Sequence, residues 1–166
     1  MSYPNDLLEQ AWHLAQREPK RPKQASLRRA ISTGYYALFH LLITETAKNW
    51  KRVYERTTVA RLFEHTMMSK VCAKRRDDLT GFFKTRNIDD PEHAVEKHLL
   101  NIAETFGVML GARHAADYDS SVEWTRRDAI ELLESVQSAF ASWDEIRETP
   151  LAQHFLVTLL LKDRRP

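Results

Sequence analysis

A chain of 166 residues with 43% hydrophobic and 29% charged residues has the ordinary balance of one globular domain, long enough to bury a real core. Four glycines and six prolines are too few turn residues for many short strands, and the single cysteine, Cys72, excludes an internal disulfide framework and a cysteine-based zinc site. A net charge of +2 sets up no global field that demands nucleic acid, although local basic patches remain open. The opening Met1–Asp6 lacks the basic and apolar regions of a signal peptide, and no apolar run approaches the roughly 18 to 20 residues that span a bilayer. A cytoplasmic protein with no membrane partner is therefore expected.

The first helix is expected from about Asp6 to Arg17, capped by Asn5, with Leu7, Leu8, Ala11, Trp12 and Ala15 at helical spacing. It stops before Pro19 and Pro22, which cannot continue the backbone ladder. The second runs from about Lys23 to Trp50 and carries two apolar stripes. Leu27, Ile31, Leu38, Leu41 and Leu42 form one, and Tyr36, Phe39 and Ile43 the other. A helix apolar on two faces is central, or is buried a second time by a partner chain. A shorter helix follows Thr57 and Thr58, with Val59, Leu62, Phe63, Met67 and Val71 inward. The polar stretch from Lys74 to Asp90 reads as a loop with a helical turn. Pro91 then opens the clearest helix, which runs to about Tyr118 with Val95, Leu99, Ile102, Phe106, Met109 and Leu110 on one face. Thr125 and Asp128 resemble a capping box ahead of Ala129, Leu133, Val136, Phe140 and Trp143. Thr149-Pro150 starts a final apolar helix to about Leu161, and Lys162–Arg165 read as a frayed tail. No internal repeat or linker interrupts the pattern. The fold class expected is all-α, a single-domain antiparallel bundle of about five or six helices.

Two segments stand out chemically. One is Ala30–His40, containing Tyr35-Tyr-Ala-Leu-Phe-His40; the other is Arg113-His-Ala-Ala-Asp-Tyr-Asp119. Arg113 falls where the apolar stripe calls for a hydrophobe. A charge there is either paired or faces another subunit, because an unpaired buried charge costs several kcal/mol. Asp117 and Glu45 are the candidate partners. His114 and Tyr118 are four residues apart and share a face, with Gly107 and Gly111 on the same side. Small residues at that spacing let another helix approach closely. His40 reads as a hydrogen-bonded histidine at the bundle or dimer surface. Tyr35 and Tyr36 read as core aromatics with bonded hydroxyls, and Ser32 as bonding back to its own helix. No Glu-x-x-His pair and no glycine-rich phosphate loop is present, and His93 and His98 point to different faces. No metal and no cofactor is expected. The basic run Arg17, Lys20, Arg21, Lys23, Arg28 and Arg29, and the run Lys74, Arg75 and Arg76, suit phosphate contact, although a solvated helix connection is the commoner meaning.

Both segments resemble the HEPN family of small helical-bundle proteins. Its members commonly carry "YYA-(L/V)-FH" in an early helix and "R-x-x-A-D-Y" late in a long one. Tyr35–His40 matches the first motif and Arg113–Tyr118 the second, in the same order, and the resemblance spans roughly Ala25 to Phe140. It implies a helical bundle that dimerises and that binds RNA or a nucleotide. It also implies a defence or toxin–antitoxin role beside a nucleotidyltransferase-like antitoxin. In the nuclease members an arginine, a following polar residue and a histidine four to six residues after the arginine act across the dimer without metal. Arg113 matches that arginine and His114 the polar residue, while Tyr118 stands where the histidine belongs. A phenol with a pKa near 10 is a poor proton shuttle at neutral pH. The implied site is Arg113, His114 and Tyr118 as catalytic residues, with Asp117 and His40 as further ligand contacts. Arg113 would hold a phosphate. Any cleavage would be metal-independent attack by an RNA 2′-hydroxyl on the adjacent phosphate. The rival is a non-catalytic interaction or dimerisation module in which Arg113 and Asp117 are struts. Two other pairs, Arg86 with His93 and Arg147 with His154, have six residues between arginine and histidine. Each spans a proline at a helix start, and neither is expected to present both side chains together.

Overall fold

The computed structural model describes residues 2–161; Lys162–Arg165, read above as a tail, lie outside them. The described residues are helical and contain no strand. Seven α-helices occur among them: α1 (Tyr3–Gln16), α2 (Gln24–Lys48), α3 (Arg56–Ala60), α4 (His65–Phe83), α5 (Ala94–Tyr118), α6 (Arg126–Ile146) and α7 (Pro150–Leu160). Single 3₁₀ turns at Val53–Glu55 and Pro91–His93 lead into α3 and α5. The all-α class is as expected.

Helix α1 begins earlier than Asp6, with Pro4 in its first turn, where the missing N–H costs nothing. Asn5 is not its cap; its side-chain amide donates to Ser2 Oγ at 3.0 Å from inside the first turn. The capping box at α6 forms in both directions. Thr125 N–H donates to Asp128 Oδ2 at 2.8 Å, and Asp128 N–H donates to Thr125 Oγ1 at 3.1 Å. Thr149 Oγ1 accepts from Ala152 N–H at 3.3 Å and opens α7.

The largest departure lies between residues 56 and 90. One helix was expected after Thr57, then a loop. The chain instead breaks at residues 61–64 between α3 and α4, and α4 continues through the polar stretch to Phe83. Leu62, expected inward, sits in the break and is exposed. The break resets the helical phase, so Met68, Cys72 and Leu79 face inward rather than Met67 and Val71. Three buried side chains over 19 residues give a thin periodic signal. Lysine, arginine and alanine nonetheless favour helix, and Lys74 pairs with Asp78 one turn on, at 3.2 Å.

The chain divides into two compact units, Met1–Leu41 with Thr105–Ala141, and Leu42–Glu104 with Ser142–Pro166. The first has a core rich in small residues: Ala11, Ala15, Leu27, Ala30, Ile31, Ala116, Ala129 and Leu133. Alanine at the contacts lets helices approach closely, and Gly34 marks a close approach of α2 to α6. A Cβ there would lie 2.6 Å from Leu133 Cδ2 on α6. The second unit buries Met68, Cys72, Leu99, Ile102, Trp143, Phe155 and Leu156. Glu45 is anchored inside it by Trp143 Nε1 at 2.9 Å, Arg147 Nη2 at 2.7 Å and Lys48 Nζ at 2.7 Å.

Candidate functional site

Both motifs meet in the first unit. Ser32 and Tyr36 are one turn apart on α2, and Arg113 and Asp117 are one turn apart on α5. The helices run antiparallel here, so the pairs cross-match like two rungs. Ser32 Oγ donates to Asp117 Oδ2 at 3.2 Å, and Arg113 Nη2 donates to the Tyr36 hydroxyl at 3.0 Å. Arg113 Nε donates to Asp117 Oδ2 at 3.2 Å and links the rungs. The guanidinium carbon lies 5.5 Å from the Tyr35 ring centre and 5.2 Å from that of Tyr36, within cation–π range. Tyr35 packs edge-on against Phe106 at 5.6 Å, which fixes its ring.

Of the two carboxylates considered for Arg113, the structure selects Asp117; Glu45 is held by Lys48, Trp143 and Arg147. Ser32 does not bond back to its helix but reaches across to Asp117. The Arg113 side chain is 15% exposed and that of Asp117 23%, so the pair sits at the margin of solvent. The Arg113 guanidinium is thus paired with a carboxylate, a phenol hydroxyl and two aromatic faces of its own chain.

The other candidates are not drawn into this network. His114 and Tyr118 are exposed, Tyr118 at 77%, and their rings meet edge-on at 6.3 Å. Neither forms a hydrogen bond to Arg113. His40 is half-buried, with Tyr3 edge-on at 5.0 Å, and its ring lies 6.4 Å from that of Tyr36. Burial pushes its imidazole below the usual histidine value and favours the neutral ring. Along the same side as His114 and Tyr118, Gly107, Val108 and Gly111 are exposed, and a Cβ on either glycine would meet nothing within 4 Å.

Arg28, read as part of a basic run, has a structural task. Its guanidinium donates to the carbonyls of Ala116 at 2.8 Å, Asp119 at 2.9 Å and Val122 at 2.5 Å, at and just beyond the end of α5. The last carbonyls of a helix lack partners inside it and carry partial negative charge, so a cation suits them. Arg126 likewise bonds the carbonyls of Glu18 and Pro19. Of the two further arginine–histidine pairs, Arg147 is held by Glu45. Arg86 and His93, contrary to expectation, both lie against one ring: the Arg86 guanidinium is 4.2 Å from the Phe82 ring centre and the His93 ring 5.0 Å from it.

Tyr36 has the bonded hydroxyl expected of it, from Arg113, whereas Ser32 bonds Asp117 rather than its own helix, and sequence reasoning missed the rungs that the two make. The signal was present as two i, i+4 polar pairs on helices expected to be antiparallel. Among the described residues no three His, Cys, Asp or Glu side chains are grouped to hold a metal ion, and no helix is long and apolar enough to cross a membrane. No family model matches the chain, nor does any curated protein or solved structure.

Proposed function

We propose that the chain is an HEPN-like module that works by association rather than catalysis. The observation that carries this reading is the commitment of Arg113 to Asp117 and Tyr36 within its own chain. A phosphate arriving there meets a carboxylate beside the guanidinium and would have to displace existing charge-assisted bonds. Tyr118 stands in the position of the family's histidine, and a phenol is a poor general acid–base group there. The open strip of Gly107, Val108 and Gly111 supports a reading in which a second copy lies on α5.

Arg113→Ala tests the reading. A strut leaves Asp117 and Tyr36 without their donor when removed. The expected cost is about 3 kcal/mol, at the lower end for breaking a buried pair because Arg113 keeps some exposure. Thermal melting of the variant, with light scattering of the wild type at tens of micromolar, measures both claims. A variant that melts like wild type but loses RNA affinity, or a 19.4 kDa monomer in scattering, overturns it.

One observation favours a second reading, an RNA- or nucleotide-binding component of a toxin–antitoxin or defence system. His114 and Tyr118 are exposed side by side and offer a ring for stacking and a donor for phosphate. His114→Ala combined with Tyr118→Ala should then abolish binding of single-stranded RNA at low salt while leaving the melting temperature unchanged. An absence of RNA affinity in wild type sinks this second reading.

A further inference from the structure

The second unit carries a groove that the Arg113 network does not involve. Its floor is Met67 and Val71 of α4, and its other wall is Thr158 of α7 with Leu161 just beyond that helix. Its volume is about 360 Å³, at the small end of the range for ligand sites. Lys70, Lys74 and Arg75 stand around it with a single carboxylate, Asp78. Met67, Val71, Lys74 and Asp78 recur at three- and four-residue steps, so one side of α4 presents both floor and charge.

The electrostatics are unbalanced. Asp78 accepts from Lys74 Nζ at 3.2 Å and offsets that one charge. Among the described residues no hydrogen bond or ion pair engages the Lys70 ammonium or the Arg75 guanidinium, although Arg75 is half-buried. Beside them Leu161 is 60% exposed, apolar surface left in contact with water. A ligand that satisfies both features has an anionic head for the cations and a hydrocarbon body for the floor. A bare anion leaves the apolar floor wet, and a neutral apolar molecule leaves two cations unanswered.

We propose that this groove binds a small amphiphilic anion, a short hydrocarbon chain ending in a carboxylate or phosphate. Its volume suits a chain of medium length rather than a whole membrane lipid. The basic cluster at Lys74 and Arg75 thereby acquires a task other than solvation.

Isothermal titration of the full chain with octanoate and octyl phosphate, beside 1-octanol and inorganic phosphate, tests the proposal. Saturable one-to-one binding of octanoate or octyl phosphate is expected, with octanol and inorganic phosphate weaker by about tenfold or more. Whichever of the two heads binds more tightly identifies the head group. The Lys70→Glu/Arg75→Glu double variant should lose about tenfold in affinity at unchanged melting temperature. Thr158→Trp, which fills the groove from the α7 side while keeping both cations, should abolish binding, and the Met67 methyl resonance should shift on titration in wild type but not in Thr158→Trp. Three results overturn the proposal. They are no saturable binding of either amphiphile, equal affinity in the charge-reversed variant, and inorganic phosphate binding as tightly as octyl phosphate.

Discussion

Replacing Gly34 by alanine sets two known effects against each other in a place where the distances decide between them. Alanine in a helix interior is favoured over glycine by about 1 kcal/mol. At Gly34, however, the new Cβ would sit 2.6 Å from Leu133 Cδ2 and 3.3 Å from Met109 Cε. Carbon atoms rest at about 3.5 to 4.0 Å, so Leu133 must retreat by about 1 Å. Leu133 and Met109 are both fully buried, so they must give way within a close-packed interior. Overpacking of this kind costs about 1 to 3 kcal/mol, which outweighs the helical gain. Gly107→Ala is the matched control in the same unit: nothing lies within 4 Å of its Cβ, so the helical gain of about 1 kcal/mol stands alone. Urea unfolding should move the Gly34→Ala midpoint down and the Gly107→Ala midpoint up at unchanged slope. If Gly34→Ala stabilises as much as Gly107→Ala, the close approach of α2 to α6 is not a real constraint, and the account of the alanine-rich core fails with it.

Glu45→Gln should cost about 1 to 3 kcal/mol by weakening the charge-assisted bonds from Arg147 and Lys48, read by chemical denaturation at pH 7. Burial pushes the Glu45 carboxyl up, but the bonds from Lys48, Trp143 and Arg147 outweigh it and hold the group below its ordinary value. A folded-state pKa below the unfolded one gives stability that is complete above the ordinary carboxylate value and is lost as pH falls through the folded value. The wild-type protein should therefore weaken in acid, and Glu45→Gln should flatten that slope; parallel slopes in the two proteins would contradict the assignment. Thr125→Ala should cost about 1 kcal/mol through loss of the α6 cap, seen as a lower melting temperature. Cys72 is fully buried and burial pushes its thiol up, so a thiol reagent should label it only on unfolding.

The elements that the sequence made legible are those where a periodic stripe and its punctuation agree. Thr125 with Asp128, Thr149 with Pro150, and the stripe from Leu99 to Met109 each state a start or a buried face locally, and each is present. Helix α4 was illegible because its helicity rests on propensity and the Lys74–Asp78 step, with three inward residues too sparse to register as a period. The candidate site divides the same way. That Arg113 needed a partner followed from its position in an apolar stripe, but the choice between Asp117 and Glu45 depended on which helix lay opposite, which no local pattern encodes. Ser32 and Tyr36 show the consequence. Each residue alone reads as a helix-interior polar group, and only when α2 and α5 run antiparallel do they become rungs to Asp117 and Arg113. At that crossing Tyr35, Tyr36, Arg113 and Asp117 tie α2 to α5. Such rungs specify a scaffold, and His114 and Tyr118 stand exposed outside it.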